Sequence, residues 1–334
     1  MGIDYKGSGV DQDRADRLIS GLLANINSTL KPWVMSGVGG FSALFKVPSS
    51  YRKPVLAVTT DGVGTKVKLA VEYGYNFNVG VDLVAMNVND LLCVGADPLV
   101  FLDYIATESL NEKVYREIIS GVVDGCKMAG CSLVGGETAQ MPGMYQKGEY
   151  DLAGFAVGVV EEEEIITGEK IAPGNVVLGL TSSGLHSNGF SLIRRLLDDG
   201  LLEADKTLSD EKTFIECVIE PTIIYVDALR EVKKSGVDVK GVVNITGGGF
   251  YGNIPRVLPE GVSVRIYRDR WRVPEVFLEI QRAGNVSDRE MFYTFNMGIG
   301  MVIIIDGRRT IDIEGVDFCI IGEVVEGDKK VEIV

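Results

Sequence analysis

PVLAVTTDGVGTK, residues 54–66, is the stretch on which the fold turns. Residues 54–60 are rich in Val, Leu and Thr and read as a buried strand ending at Asp61. DGVGTK then supplies Gly62 and Gly64 for close backbone approach, Thr65 as a hydroxyl and Lys66 as a cation. Backbone N–H groups beside such a turn favour an anion. The spacing is not the GxxxxGK[ST] of a P-loop. A glycine-rich turn after a strand is also often nothing more than a turn.

Working outward, residues 11–28 place Leu18, Ile19, Leu22, Leu23 and Ile26 on one side of an amphipathic helix. A glycine-rich segment, SGVGGFSALF, follows at 36–45. Beyond the turn, residues 78–95 read as a helix apolar on most faces and 98–106 as a strand. A second long helix is expected over 111–129, with strands over 131–136 and 151–160. The order β-α-β-α-β-β predicts an α/β or α+β domain. EEEEIITGEKIAPG, residues 161–174, marks a boundary, and such a charge run ordinarily forms a solvated connection. The division predicted is 1–165 and 170–334. The second part mixes strands at 176–181, 239–245, 261–266, 298–305 and 318–324 with helices at 188–199, 221–235 and 273–282.

Composition agrees with two globular domains in 334 residues, with 46% hydrophobic and 24% charged residues. Glycine, 41 residues, is about 12% of the chain against roughly 7% in average usage. The net charge of −14 argues against a nucleic-acid surface, which needs clustered Lys and Arg. Five cysteines, none in a CxxC pair, predict neither disulfides nor structural zinc. The first residues, MGIDYKGSGVDQD, lack the apolar core of a signal peptide, and Lys6 stands where a myristoylation motif needs Ser or Thr. No run reaches 18 apolar residues. The expected setting is the cytoplasm, with no membrane and no nucleic-acid partner.

Three acids sit in surroundings that do not suit them. Asp61 closes an apolar strand, Asp90 lies in VDLVAMNVNDLLCVGAD, and Glu137 follows two glycines in LVGGETAQMPG. A carboxylate among Leu, Val and Met is costly unless compensated. Mg²⁺, which takes a few carboxylates together with substrate phosphates, is one compensation. Helix capping or pairing with Arg is the alternative. Asn87 and Asp90 are i, i+3 neighbours on their helix.

His186, the only histidine, lies in TSSGLHSNGFS, residues 181–191, a polar turn between strand and helix. An imidazole there suits proton transfer or polarisation of an amide. A structural role is the other reading. ITGGGF, residues 245–250, follows another strand, and its Gly247, Gly248 and Gly249 form either an anion-binding turn or a tight backbone crossing.

Taken together, GVGGF at 37–41, TTDGVGTK at 59–66, NVNDLLCVGADPL at 87–99, GGETAQMPGMY at 135–145, SSGLHSNGFSL at 182–192, EPTIIYV at 220–226 and TFNMGIGM at 294–301 are specific. The chain resembles the phosphoribosylformylglycinamidine cyclo-ligases, also called aminoimidazole ribonucleotide synthetases, over nearly its whole length.

The resemblance implies a homodimer. Each N-terminal domain would give strands to a shared barrel, and each C-terminal domain would be α/β. It implies ATP and Mg²⁺, with ATP near the domain junction. ATP would bind through Asp61, Gly62, Gly64, Thr65, Lys66, Asn87, Asp90, Gly135, Gly136, Glu137 and Thr138, with Asp61, Asp90 and Glu137 as metal ligands. The small-molecule nucleotide substrate would meet Gly39, Gly40, His186, Ser187, Asn188 and Gly247 to Gly249. His186, Lys66 and Asp61 would carry the chemistry.

Two positions depart from the family pattern. Asn244 stands where His is usual, and Leu23 where some members have Lys.

Related ATP-using families fit less well. A selenophosphate synthetase needs a reactive Cys or selenocysteine near the N-terminus, whereas the first cysteine here is Cys93. A formylglycinamide ribonucleotide amidotransferase needs a longer chain. Thiamine-monophosphate kinases share the acids but not SSGLHSNGFS or TFNMGIGM. A non-catalytic nucleotide-binding protein would not need His186 alongside all three acids.

Overall fold

A computed structural model describes residues 9–209, 211–307 and 315–334. The readings made of the first eight residues lie outside this range. The chain divides into two compact units, one comprising residues 1–91 and 96–163, the other 92–95 and 164–334.

The first unit runs α1 (Gln12–Asn27), β1 (Val34–Ser36), β2 (Leu44–Phe45), β3 (Pro54–Gly62), α2 (Lys66–Tyr73), α3 (Asn76–Cys93), β4 (Asp97–Thr107), α4 (Glu112–Ala129), β5 (Ser132–Gln140) and β6 (Tyr150–Glu161). Its main sheet has the order β3-β6-β4-β5. β6 runs antiparallel to both β3 and β4, and β4 parallel to β5. The parallel pair is joined by α4, the crossover such a pair requires. α4 begins at Asn111, whose side chain accepts from the Lys113 and Val114 N–H groups, and ends at Gly130 in the left-handed conformation. α3 is buried on almost every face, as its apolar sequence demands, with Leu83, Val84 and Val88 inaccessible.

The edge strand β3 differs. Leu56 and Val58 are 51% and 75% exposed, and Phe155 on β6 is 45% exposed. The sheet here is open and the barrel expected from the family is not closed within one chain.

The second unit runs β7 (Val176–Thr181), α5 (Phe190–Asp198), α6 (Phe214–Ile219), α7 (Val226–Lys234), β8 (Val239–Asn244), α8 (Gly249–Asn253), β9 (Val262–Ile266), α9 (Glu275–Gly284), α10 (Asp288–Thr294), β10 (Ile299–Ile305), β11 (Phe318–Glu326) and β12 (Val331–Ile333). Six strands form one sheet in the order β12-β9-β11-β7-β10-β8. All pairs are antiparallel except β12 with β9, so the mixture is of the α+β kind. Every residue of the interior strand β10 is buried, which accounts for its unbroken IGMVIII run. Among the described residues no helix is long and apolar enough to cross a membrane.

Candidate active site

In the first unit, sheet register lines up the acids. Asp61 on β3 and Asp103 on β4 both pair with Gly154 on β6, one from each side, and Asp103 pairs in turn with Gly136 on β5. Asp61 and Asp103 are thus two strand spacings apart, roughly 10 Å. Glu137 is opposite Tyr104, a third spacing away from β3.

Asp61 is half-buried. Burial raises its carboxyl above the usual value, the Gly62 N–H, donating at 2.8 Å, opposes the shift, and the nearby charge of Asp90 adds to it. Asp90 itself is exposed, on the last turn of α3. Between them Asn87 is fully buried. Its Nδ2 donates to the Asp61 carbonyl at 3.2 Å and to the Leu83 carbonyl at 2.8 Å. Its Oδ1 is buried with no hydrogen-bond partner. Two mutually repelling carboxylates beside an orphaned amide oxygen are a donor set that fits a hard divalent cation.

Glu137 belongs to a different group. It lines a cavity of about 520 Å³ together with Gly135, Gly136, Thr138, Asp103, Tyr115 and residues of α1. Asp103 is 7% exposed. Burial pushes its carboxyl up to about 7, against the help of its own N–H, and the Glu137 charge contributes. Tyr115, hydrogen-bonded to Thr138 at 3.1 Å, is pushed up to about 12 by burial. Among the described residues the cavity wall is therefore acidic, with Asp16, Asp103 and Glu137 and no Lys or Arg.

Two expectations change here. Glu137 on β5 stands three strands away from Asp61 on β3, and no group of three or more His, Cys, Asp or Glu side chains placed to hold a metal ion exists among the described residues. The order of the strands is the reason: β6 and β4 lie between β3 and β5, so the acids form two pairs, Asp61 with Asp90 and Glu137 with Asp103.

Lys66 also departs from its expected place as a phosphate contact. Its side chain has no exposed surface, and its Nζ is 2.7 Å from Asp82 Oδ2 on α3. Lys66 opens α2, and it is buried there together with Val67, Leu69 and Ala70 of the same helix. Gly62, Gly64 and Thr65 remain in the turn beside Asp61, with Thr65 at the helix N-cap. Gly39 and Gly40 are exposed in the loop between β1 and β2.

In the second unit, His186 takes a left-handed conformation, φ 59°, and is 2% exposed. The Ile223 N–H donates to its Nε2 at 3.5 Å, and its ring lies 6.1 Å from that of Tyr225, whose hydroxyl donates to the Thr181 carbonyl at 2.8 Å. Both rings sit over Gly300 of β10, where a Cβ would come within 2.3 Å of His186 Cε1. The imidazole is thus packed between the 220–225 segment and Gly300.

Around it, Ser187 and Asn188 are half-exposed. Ser187 Oγ lies 3.2 Å from Thr222 Oγ1, and Asn188 Oδ1 lies against Gly247. The turns at 182–191 and 245–250 therefore touch through Asn188. Gly249, φ 54°, is a tight crossing: a Cβ there would stand 2.0 Å from the Phe292 carbonyl oxygen. Asn253 Nδ2 donates to the carbonyls of Thr246, Gly247 and Gly249, closing that turn from below.

Asp82 and Asp103 escaped the sequence reading. Each is an acid within an otherwise apolar element, Asp82 sharing α3 with Asp90 and Asp103 sharing β4 with Asp97, the same signal that singled out Asp61.

The comparisons with known proteins agree over both units. The family models described as AIR synthase related protein, N-terminal domain and C-terminal domain, match residues 19–160 and 172–334. A phosphoribosylformylglycinamidine cyclo-ligase of Alkaliphilus metalliredigens is 46% identical over 338 residues, covering 98% of this chain and 97% of that relative. One from Chromobacterium violaceum is 49% identical, covering 91% of this chain and 88% of the relative. The chain belongs to the phosphoribosylformylglycinamidine cyclo-ligase family.

Among solved structures, the thiamine-monophosphate kinase of Stenotrophomonas maltophilia superposes with a TM-score of 0.69 at 17% identity, covering 95% of each chain. Hydrogenase maturation protein HypE in complex with ATP gives 0.62 at 17%, covering 93% of this chain and 86% of its own. At such identities these likenesses establish a shared fold alone.

Proposed function

We propose that the chain closes the imidazole ring of aminoimidazole ribonucleotide from formylglycinamidine ribonucleotide, consuming ATP and releasing ADP and phosphate. The observation that carries this reading is identity of 46–49% to cyclo-ligases over 91–98% of this chain, with the acids in two pairs inside the matched region.

The formyl amide oxygen attacks the γ-phosphorus of ATP. The new P–O bond forms as the bond to ADP breaks, and the oxygen becomes part of a leaving group. The amidine nitrogen then attacks the former carbonyl carbon, phosphate departs with the C–O electron pair, and a proton is lost. Such phosphoryl transfers depend on alignment and neutralisation of charge.

Asp61, Asp90 and the Asn87 amide oxygen would hold Mg²⁺, which neutralises phosphate charge when bound. Glu137 and Asp103 would face a second cationic group. The Gly62–Thr65 turn would offer N–H groups to phosphate, and the Ser187, Asn188 and Gly247 surface would meet the nucleotide substrate. His186 would shape that surface by holding its turn against Tyr225.

The bare face of Leu56, Val58 and Phe155 supports a homodimer, because a long apolar edge strand invites pairing with a second copy. The cytoplasm is the proposed location.

Turnover of the purified chain with ATP and formylglycinamidine ribonucleotide, followed as aminoimidazole ribonucleotide and ADP, tests the proposal. ADP formation with thiamine monophosphate instead would overturn it.

A further inference from the structure

A fully buried ion pair is an odd choice for stability alone, because apolar residues of equal volume usually serve as well or better. What such a pair adds is direction. Lys66 and Asp82 tie α2, which follows the turn after Asp61 of β3, to α3, which carries Asp90. Lys66 is the first residue of α2, five residues after Asp61. Asp82 lies in α3, eight residues before Asp90, about 12 Å along the helix.

The turn between Asp61 and Lys66 has little stiffness of its own. Gly64 is left-handed, φ 69°, and open space surrounds it. The Asp61 and Asp90 carboxylates repel each other, so the turn needs an anchor on the α3 side. Asn87, donating to the Asp61 carbonyl, is one tie. The Lys66–Asp82 pair is the other, placed beyond the glycines.

We propose that Lys66 and Asp82 form a buried latch that sets the position of Asp61 against Asp90 for cation binding; both are positioning residues. This rests on the metal reading given above.

The test is the double variant Lys66→Met/Asp82→Leu, with Asp82→Asn as a second variant that keeps side-chain volume. Far-UV circular dichroism and thermal unfolding in a chelator report the fold. Mn²⁺ titration followed by electron paramagnetic resonance reports the site, counting only binding that Asp90→Asn abolishes. The double variant should melt at or above the wild-type temperature yet bind Mn²⁺ at least about tenfold more weakly, the scale for loss of a group that orients a metal ligand. Asp82→Asn should show a similar loss of affinity. Wild-type affinity in either folded variant overturns the latch. A double variant that does not fold also overturns it, since the pair would then be a requirement of the fold itself. A wild type that binds no Mn²⁺ fails differently, because the metal reading falls first and the latch with it.

Discussion

The turn at 61–66 and the turn at 182–191 make the same strand-to-helix connection, β3 to α2 and β7 to α5, with opposite arrangements of charge. In the first, Asp61 stands half-buried, with the exposed Asp90 of α3 near it, while the cation, Lys66, is sealed inside with Asp82. In the second, the ionisable ring of His186 is sealed inside with Tyr225 while the neutral Ser187 and Asn188 reach the surface. A chemically distinctive residue is therefore not automatically the one that meets ligand. In both turns it is the residue that fixes the turn, and plainer neighbours are left at the surface.

The largest effect expected is at Asp90. Asp90→Asn should lower turnover about 10²–10³-fold, the scale for removing one preorganised electrostatic group, with circular dichroism unchanged because the side chain is exposed. Steady-state ADP release checks this. Near-normal turnover would break the contrast, since the outward-facing acids would then be idle.

Asp103 gives the next effect, visible in pH dependence. Its folded-state carboxyl is raised to about 7 from 3.8, so the folded state prefers the protonated form. That preference contributes stability fully below about pH 4, and the contribution is lost as pH rises through 7. Between pH 5 and 7 the slope is about 1.4 kcal/mol per pH unit, ~3 kcal/mol in all at most. Asp103→Asn should remove this slope, so that its stability relative to wild type improves from pH 5 to 8. Urea unfolding in chelator at several pH values checks it, and a constant difference across the range would show that the carboxyl titrates normally.

His186→Ala divides the two readings of the second turn. A packing wedge predicts roughly 2 kcal/mol lost to the cavity and less than tenfold in turnover of the folded protein. A proton-transfer role predicts a loss of about 10²–10⁴-fold instead. Thermal melting and kcat, measured on the same preparation, separate them.

Much of the fold was legible because its long elements carry clear periodicity. α1, α3, α4, β4 and β6 appear within a few residues of their expected ends. α2 was missed because KVKLAVEY directly follows a glycine turn and its polar residues hide its short buried face. β1 and β2 are too short to carry a pattern. The antiparallel pairing of the second unit was not legible, since strand order depends on contacts far apart in sequence. At the candidate site the residue types were readable but their directions were not. Lys66 looked like a phosphate ligand because nothing in DGVGTK says that its stem turns inward to Asp82. Glu137 looked like a partner of Asp61 because strand order alone places β6 and β4 between them.

The smallest expected effect is at Ser187, and it sharpens the comparison from the surface side. Its hydroxyl lies within hydrogen-bonding distance of Thr222 and is only half-buried. If that contact is all it does, Ser187→Ala should cost about 1 kcal/mol of stability, the net worth of a typical hydrogen bond, and leave KM for the nucleotide substrate unchanged. If the neutral residues of this turn meet substrate, the same change should raise KM for that substrate several-fold while KM for ATP stays put. Thr222→Val supplies the control, because it removes the same intramolecular bond from the other end. A rise in KM with Ser187→Ala but not with Thr222→Val assigns the effect to substrate contact. Equal effects from both would mean that the bond merely holds the turn, and the surface reading of Ser187 would fall.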